Sequence, residues 1–194
     1  MEKMLTRLQR LPLVIPNGVD VKIDNNSYVV TFTKGNVVLH HAYKGAFIEV
    51  SIDDNKLVYK PNSSLNKSLK KKEVGAHLGT AISISQNHLK GLITPFVTEL
   101  VLKGTGYKVA QKKQGAETVL VFNLGKSHDD VFTVPSEVEV ACPSATEITL
   151  KSANKQLLGQ TVARIRKLRV VDAYKGKGVL FKGQVVSLKE TKKK

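Results

Sequence analysis

Tyr28-Val29-Val30-Thr31-Phe32-Thr33-Lys34-Gly35 and Thr118-Val119-Leu120-Val121-Phe122-Asn123-Leu124-Gly125 carry one pattern twice, at an offset of 90 residues. Val29/Val119, Phe32/Phe122 and Gly35/Gly125 are identical pairs. The offset recurs further on, where Ile48-Glu49-Val50 matches Val138-Glu139-Val140 and Val58-Tyr59 falls on Ile148-Thr149. Short β-branched runs separated by turn-forming residues read as antiparallel strands, and their repetition in register reads as a duplicated unit.

Each half continues into a stretch with helical periodicity. In the first half Leu78, Ala81, Ile82, Ser85, Leu89 and Leu92 set the stripe; in the second Leu158, Val162, Ile165 and Leu168 do so within Lys155 to Arg169. A unit of three strands followed by a helix, with the helix covering the open face of the sheet, is the economical arrangement. The expected fold is therefore α+β, with two tandem homologous domains, each a small mainly antiparallel sheet covered by one helix, plus a basic C-terminal extension. The expected boundaries are 1–14 for an N-terminal extension, 15–94 and 95–170 for the two repeats, and 171–194 for the basic extension.

The charge is placed unevenly. Residues 1–94 hold 13 basic and 7 acidic side chains, 95–150 hold 5 and 7, and 151–194 hold 13 and 2, so the net charges are +6, −2 and +11. Such concentration at one end points to a polyanionic partner. The second helix can bury its apolar stripe while Lys155, Arg164, Arg166, Lys167 and Arg169 cover the rest of its surface and its end. Asp172-Ala173-Tyr174-Lys175-Gly176-Lys177-Gly178-Val179 follows, then Lys182, a strand-like run around Val185-Val186, and the terminal Lys192-Lys193-Lys194. Lysines neutralise phosphates, glycines allow close backbone approach, and Tyr174 offers a flat face to a base or sugar. This pattern reads as an RNA-docking extension, with Lys155, Arg164, Arg166, Lys167, Arg169, Tyr174, Lys175, Gly176, Lys177, Gly178, Lys182, Lys192, Lys193 and Lys194 as the candidate RNA-binding residues.

A second group of candidates lies in the first half. An extra loop from Pro61 to Glu73 carries Lys67, Lys70, Lys71 and Lys72, which read equally as an RNA contact or a solvated linker, and His77 and His88 are expected on helix surfaces near RNA.

Other chemistry fails on spacing. Gly178-Val179-Leu180-Phe181-Lys182-Gly183 has the glycines of a phosphate-binding loop, but Gln184-Val185 stands where Lys and Ser or Thr are required. Gly104-Thr105-Gly106 has Val109 at the third glycine position of a dinucleotide fingerprint. His40 and His41 are adjacent, hence on opposite faces of a strand, and the other histidines lack ligand spacing. Glu137 and Glu139 share a strand face, unaccompanied by a nucleophile. No catalytic residue, metal site or cofactor is expected. Cys142 is the single cysteine, which excludes an internal disulfide. Apolar runs fall well short of the roughly 18 residues of a membrane span, and Met1 to Arg10 lacks the apolar region of a secretory signal.

Several motifs together resemble a known family. Lys103-Gly104-Thr105-Gly106-Tyr107-Lys108, Leu124-Gly125-Lys126-Ser127-His128, Asn154-Lys155-Gln156 with Gly159-Gln160, and above all Tyr174-Lys175-Gly176-Lys177-Gly178 are similar to the bacterial-type ribosomal protein L-six family, from about Ile15 to the end. The resemblance implies a non-enzymatic structural constituent of the large ribosomal subunit, bound to large-subunit rRNA near the stalk base and the sarcin-ricin loop. It implies neighbouring large-subunit proteins as partners, with translation factors near the stalk base as a further expectation, and neither a membrane nor a homo-oligomer. Three positions depart from the family pattern. Val170-Val171-Asp172-Ala173 replaces a Pro-rich approach to Tyr174, Asp129 replaces a Pro after Ser127-His128, and Leu11-Pro12-Leu13 replaces a basic start. These departures lean toward an organellar ribosome, the mitochondrion ahead of bacterial cytoplasm or plastid. The alternative from another class is a basic protein-interaction module associated with a ribonucleoprotein, in which the acidic middle segment docks a basic partner.

Overall fold

Phe32 and Phe122, the aromatic pair of the repeated run, are both 0% exposed, and each sits on the middle strand of a three-stranded antiparallel sheet. Gly35 and Gly125, which close the two runs, both turn the chain with positive φ, 57° and 70°. The identities of the repeat are thus a core anchor and a left-handed turn, and both are positions where substitution is costly.

The computed structural model describes residues 12–62, 71–114 and 117–190, with the backbone alone at Lys71, Lys72, Gln114 and Glu117. The chain divides into two compact units at Thr94/Pro95. The first contains β1 (Leu13–Val14), β2 (Asp20–Asp24), β3 (Val29–Lys34), β4 (Val37–Ala42), β5 (Ile48–Asp53), β6 (Lys56–Pro61) and the helix α1 (Lys71–Ile93). The second contains β7 (Phe96–Lys103), β8 (Lys108–Gln114), β9 (Glu117–Asn123), β10 (Asp130–Val134), β11 (Glu139–Ser144), β12 (Glu147–Ser152), the helix α2 (Lys155–Leu168) and β13 (Gly178–Phe181).

All pairings are antiparallel. The first unit has sheets β1-β6-β5 and β2-β3-β4; the second has β10-β9-β8 and β11-β12-β7-β13. The two topologies superimpose strand for strand, with β13 added as a fourth strand beside β7. Among the described residues each unit thus has six strands before its helix, where the repeat predicts three. The additional ones include a two-residue strand and edge strands such as β2, whose Asp-Val-Lys-Ile-Asp alternation exposes every second residue.

One detail of the repeat needs correction. The inward residues of β6 are Leu57 and Tyr59, and those of β12 are Ile148 and Leu150, so Tyr59 corresponds to Leu150 and not to Thr149. A bulge between Ala141 and Ser144 inserts the extra residue, and a one-residue slip exchanges the faces of a strand. The acidic pair also separates, since Glu137 lies in the turn before β11 while Glu139 is on the strand, both exposed.

The helical stripes pack as their spacing predicts. Leu78, Ala81, Ile82, Ser85, Leu89 and Leu92 are buried on α1, and Leu158, Val162 and Ile165 on α2, joined there by Thr161. Helix α1 begins at Lys71, so Lys71, Lys72 and Glu73 form its first turn and the loop expected from Pro61 to Glu73 is shorter. Lys67 and Lys70 lie outside the described residues.

His88 is a correction. It is 6% exposed, 5.6 Å from the Phe32 ring and 6.3 Å from His41, itself 9% exposed, because His88 falls on the same stripe as Ser85 and Leu89. It is a core residue and offers no surface to RNA. His40 points outward, its Nδ1 3.1 Å from the Thr31 hydroxyl, which bears out the opposite faces of the pair. His77 is half-buried, stacked on Phe47 at 4.9 Å.

Burial, reinforced by His41, pushes the His88 imidazole down to about 4, and burial lowers His41 as well. The unfolded chain, with ordinary histidines, binds more protons between pH 6.5 and about 4. Stability of the first unit is therefore complete above pH 6.5 and falls as pH drops through that window, by on the order of 2–3 kcal/mol at its foot. Calorimetric melting of the wild type and of His88→Leu at pH 7 and pH 5 is expected to show a steeper loss for the wild type; parallel losses would contradict the assignment.

Candidate nucleic-acid interface

The interface is built on α2 and the segment that follows it. Asn154 starts the helix: its side-chain oxygen accepts hydrogen bonds from the Gln156 and Leu157 amides at 3.1 and 3.2 Å, an N-cap satisfying two otherwise unpaired donors. Arg166 and Lys167 lie in the last turn, where cations favour the helix dipole.

Beyond the helix the chain closes a tight loop, Asp172 to Lys177. The Asp172 amide donates to the Lys177 carbonyl at 2.9 Å, and the Gly176 amide donates back to the Asp172 carbonyl at 2.9 Å. The Asp172 carboxylate accepts from the Tyr174 and Lys175 amides at 3.3 and 3.0 Å. These two donors, Lys175 before Tyr174, with the Lys175 and Arg169 charges, hold the Asp172 carboxyl below the usual carboxylate range. The loop leads directly into β13, whose Val179 amide donates to the Arg169 carbonyl at 3.1 Å. From the other side the tail returns, and the Lys189 amide donates to the Ala173 carbonyl at 2.9 Å. Tyr174, 53% exposed, stands outward with Lys175 and Lys177.

The predicted cations divide into two sets. Arg164, Lys167, Lys175 and Lys177 are exposed and make no ion pair among the described residues. The others are engaged by the protein. Lys155 lies over the Phe96 ring at 5.5 Å and Arg166 over the Phe181 ring at 4.4 Å. Arg169 donates from Nε to the Tyr107 hydroxyl at 3.1 Å. Lys182 pairs with Glu99 at 2.9 Å and faces Glu147 at 3.9 Å, and those carboxylates raise its pKa. Lys192, Lys193 and Lys194 lie outside the described residues, as do the side chains of Lys71 and Lys72.

The glycines also divide. Gly176 turns the chain with φ 66°. Gly178 is buried, and a Cβ there would stand 2.7 Å from the Val171 Cα. Its close backbone approach is therefore to Val170-Val171 and not to a phosphate. The strand expected at Val185-Val186 lies instead at Gly178–Phe181, where Val179 and Leu180, on opposite faces, are both buried; Val185 is exposed.

Three residues of this site escape sequence reading. Asp172 carries the local signal of a carboxylate two and three residues before the amides it caps. Tyr107 is buried and reaches Arg169 from far back in the chain; Cβ atoms at Gly104 and Gly125 would come within 2.7 and 3.1 Å of its ring. The Gly-x-Gly turn and the Leu-Gly-Lys-Ser-His segment are thus partly the seat of that tyrosine. Glu99 has no local signal at all. Within the second segment Lys126 pairs with Asp130 at 2.9 Å, and His128 lies 3.6 Å from the same carboxylate.

No group of three His, Cys, Asp or Glu side chains placed to hold a metal occurs among the described residues, and no helix among them is long and apolar enough to cross a membrane.

Residues 103–182 match the profile of the family described as ribosomal protein L6. The chain is 38% identical to the large ribosomal subunit protein uL6 of Acinetobacter baumannii, over 98% of its own length and all of the relative. It is 38% identical to the protein of that name in Histophilus somni, over 98% of this chain and all of the relative. It is 36% identical to that of Thermosipho melanesiensis, over 97% of this chain and again all of the relative.

Proposed function

The chain belongs to the ribosomal protein L6 family, and from that membership we propose that it binds large-subunit rRNA through α2 and the loop Asp172–Lys177, near the stalk base and the sarcin-ricin loop. The family is structural and non-enzymatic, and its place is the large ribosomal subunit. The observation that carries the rRNA reading is the loop itself. Lys175 and Lys177 are exposed and unpaired among the described residues, on a backbone closed by its own hydrogen bonds, so their charge is available and little ordering cost remains. Arg164 and Lys167 add two further exposed charges on the helix. Neighbouring large-subunit proteins, and translation factors near the stalk base, are the other partners of this reading.

The compartment follows the ribosome that carries the chain. The relatives are bacterial and lend no weight to the mitochondrion, so that lean rests on the departures from the family motifs alone and is decided by cell fractionation.

The direct test is equilibrium binding of the purified chain to large-subunit rRNA across a salt series. Four exposed cations meeting phosphates give a slope of log affinity against log salt of about −3 or steeper. A slope near zero would remove this surface from the interface.

A further inference from the structure

Asp172 is an acid in the middle of the most basic part of the chain; from Lys151 to Lys189 there is no other Asp or Glu. On charge alone it opposes a polyanion. We propose that Asp172 is a positioning residue for rRNA binding, whose carboxylate builds the turn that presents Tyr174, Lys175 and Lys177, and that this outweighs its unfavourable charge. The inference rests on the rRNA reading above.

The carboxylate accepts from the amides two and three residues ahead. At Asp172 the two amides go to different carboxylate oxygens, Tyr174 to Oδ1 and Lys175 to Oδ2. Among the described residues the same spacing recurs at Asp24 with Asn26 and Ser27 and at Asn154 with Gln156 and Leu157, where one oxygen takes both donors. At Asn154 a single amide oxygen takes both donors, so the turn needs an acceptor there and not a negative charge. The side chain is exposed and buries nothing. Removing it leaves the backbone bonds Asp172 to Lys177 and Gly176 to Asp172 in place. The loss is confined to the apex, Ala173 to Lys175, which carries the tyrosine and the first lysine. A cap of this kind shifts the local equilibrium by a factor of about five.

Two substitutions separate geometry from charge. Asp172→Ala removes charge and acceptor together; Asp172→Asn removes the charge and keeps an acceptor. Affinity for large-subunit rRNA is expected to fall about fivefold in Asp172→Ala with a shallower salt slope, and to return to the wild-type value or exceed it in Asp172→Asn. Hydrogen exchange at the Tyr174 and Lys175 amides is expected to accelerate in the alanine protein alone. The double variant Lys175→Gln/Lys177→Gln is measured alongside. If it binds more weakly while Asp172→Ala binds as well as or better than wild type, the rRNA reading stands and the positioning role is overturned. Equal weakening in the alanine and asparagine proteins overturns it too. If the double lysine variant binds like wild type, the rRNA reading fails and the proposal falls with it.

Discussion

Gly178→Ala is expected to unseat the end of the second unit and to lower rRNA affinity by more than tenfold. The added Cβ would stand 2.7 Å from the Val171 Cα, 2.9 Å from its nitrogen and 3.0 Å from the Val170 carbonyl oxygen. All three are backbone atoms, which cannot rotate away, and φ at this position is +151°, a conformation that side-chain-bearing residues avoid. Gly178 pairs with Lys103 on β7, and the next residue, Val179, is fully buried. Moving the glycine therefore strains the edge strand and the loop bond between Asp172 and Lys177 together. Overpacking and backbone strain combine to roughly 2–5 kcal/mol. Calorimetry is expected to show the second unit melting earlier, with the first unit unchanged. An unaltered melting profile with unaltered binding would contradict the assignment of Gly178 to the interior.

The second large effect is electrostatic. Neutralising Lys175 and Lys177 together as glutamine would remove the two proposed phosphate contacts and is expected to flatten the salt slope of rRNA binding by about two units at most, with affinity near physiological salt falling on the order of tenfold or more. The side chains are exposed and unpaired among the described residues, so the fold is expected to keep its melting temperature. Lys182→Gln makes a useful contrast. Its ammonium is already opposite Glu99 and Glu147, so its loss is expected to change the slope by less than either loop lysine.

Much of the architecture is legible in the sequence because the repeated run forms, in each unit, the middle and most deeply buried strand of its sheet. Val30 and Phe32, and Leu120 and Phe122, are buried in matching positions, and such runs announce themselves by alternation. Edge strands do not, since half their residues face solvent, and β13 hides behind the glycines that seat it. The helices are legible from their stripes. His88 shows the reverse: the stripe places it beside Ser85 and Leu89 in the core, and only its polar side chain argues for the surface, so residue type misplaces it where periodicity does not.

At the candidate site, charge composition singles out a segment but treats all its cations alike. Which of them already meet a partner in the chain depends on residues distant in sequence: Phe96 and Glu99 on β7, Tyr107 before β8, and Phe181 on β13. Those pairings exist only once the sheet has formed. The loop is different, because its cap and its turn glycine are local, and Asp172 two residues before Tyr174 is readable as a turn in the sequence.

Sucrose-gradient sedimentation of a cell or organelle lysate, with this chain followed beside the large-subunit rRNA before and after a high-salt wash, shows whether the chain is held in the large subunit. A constituent of the large subunit is expected to co-sediment with it and to stay bound through the salt wash. Migration near the top of the gradient, with the large subunit intact elsewhere, would contradict that role.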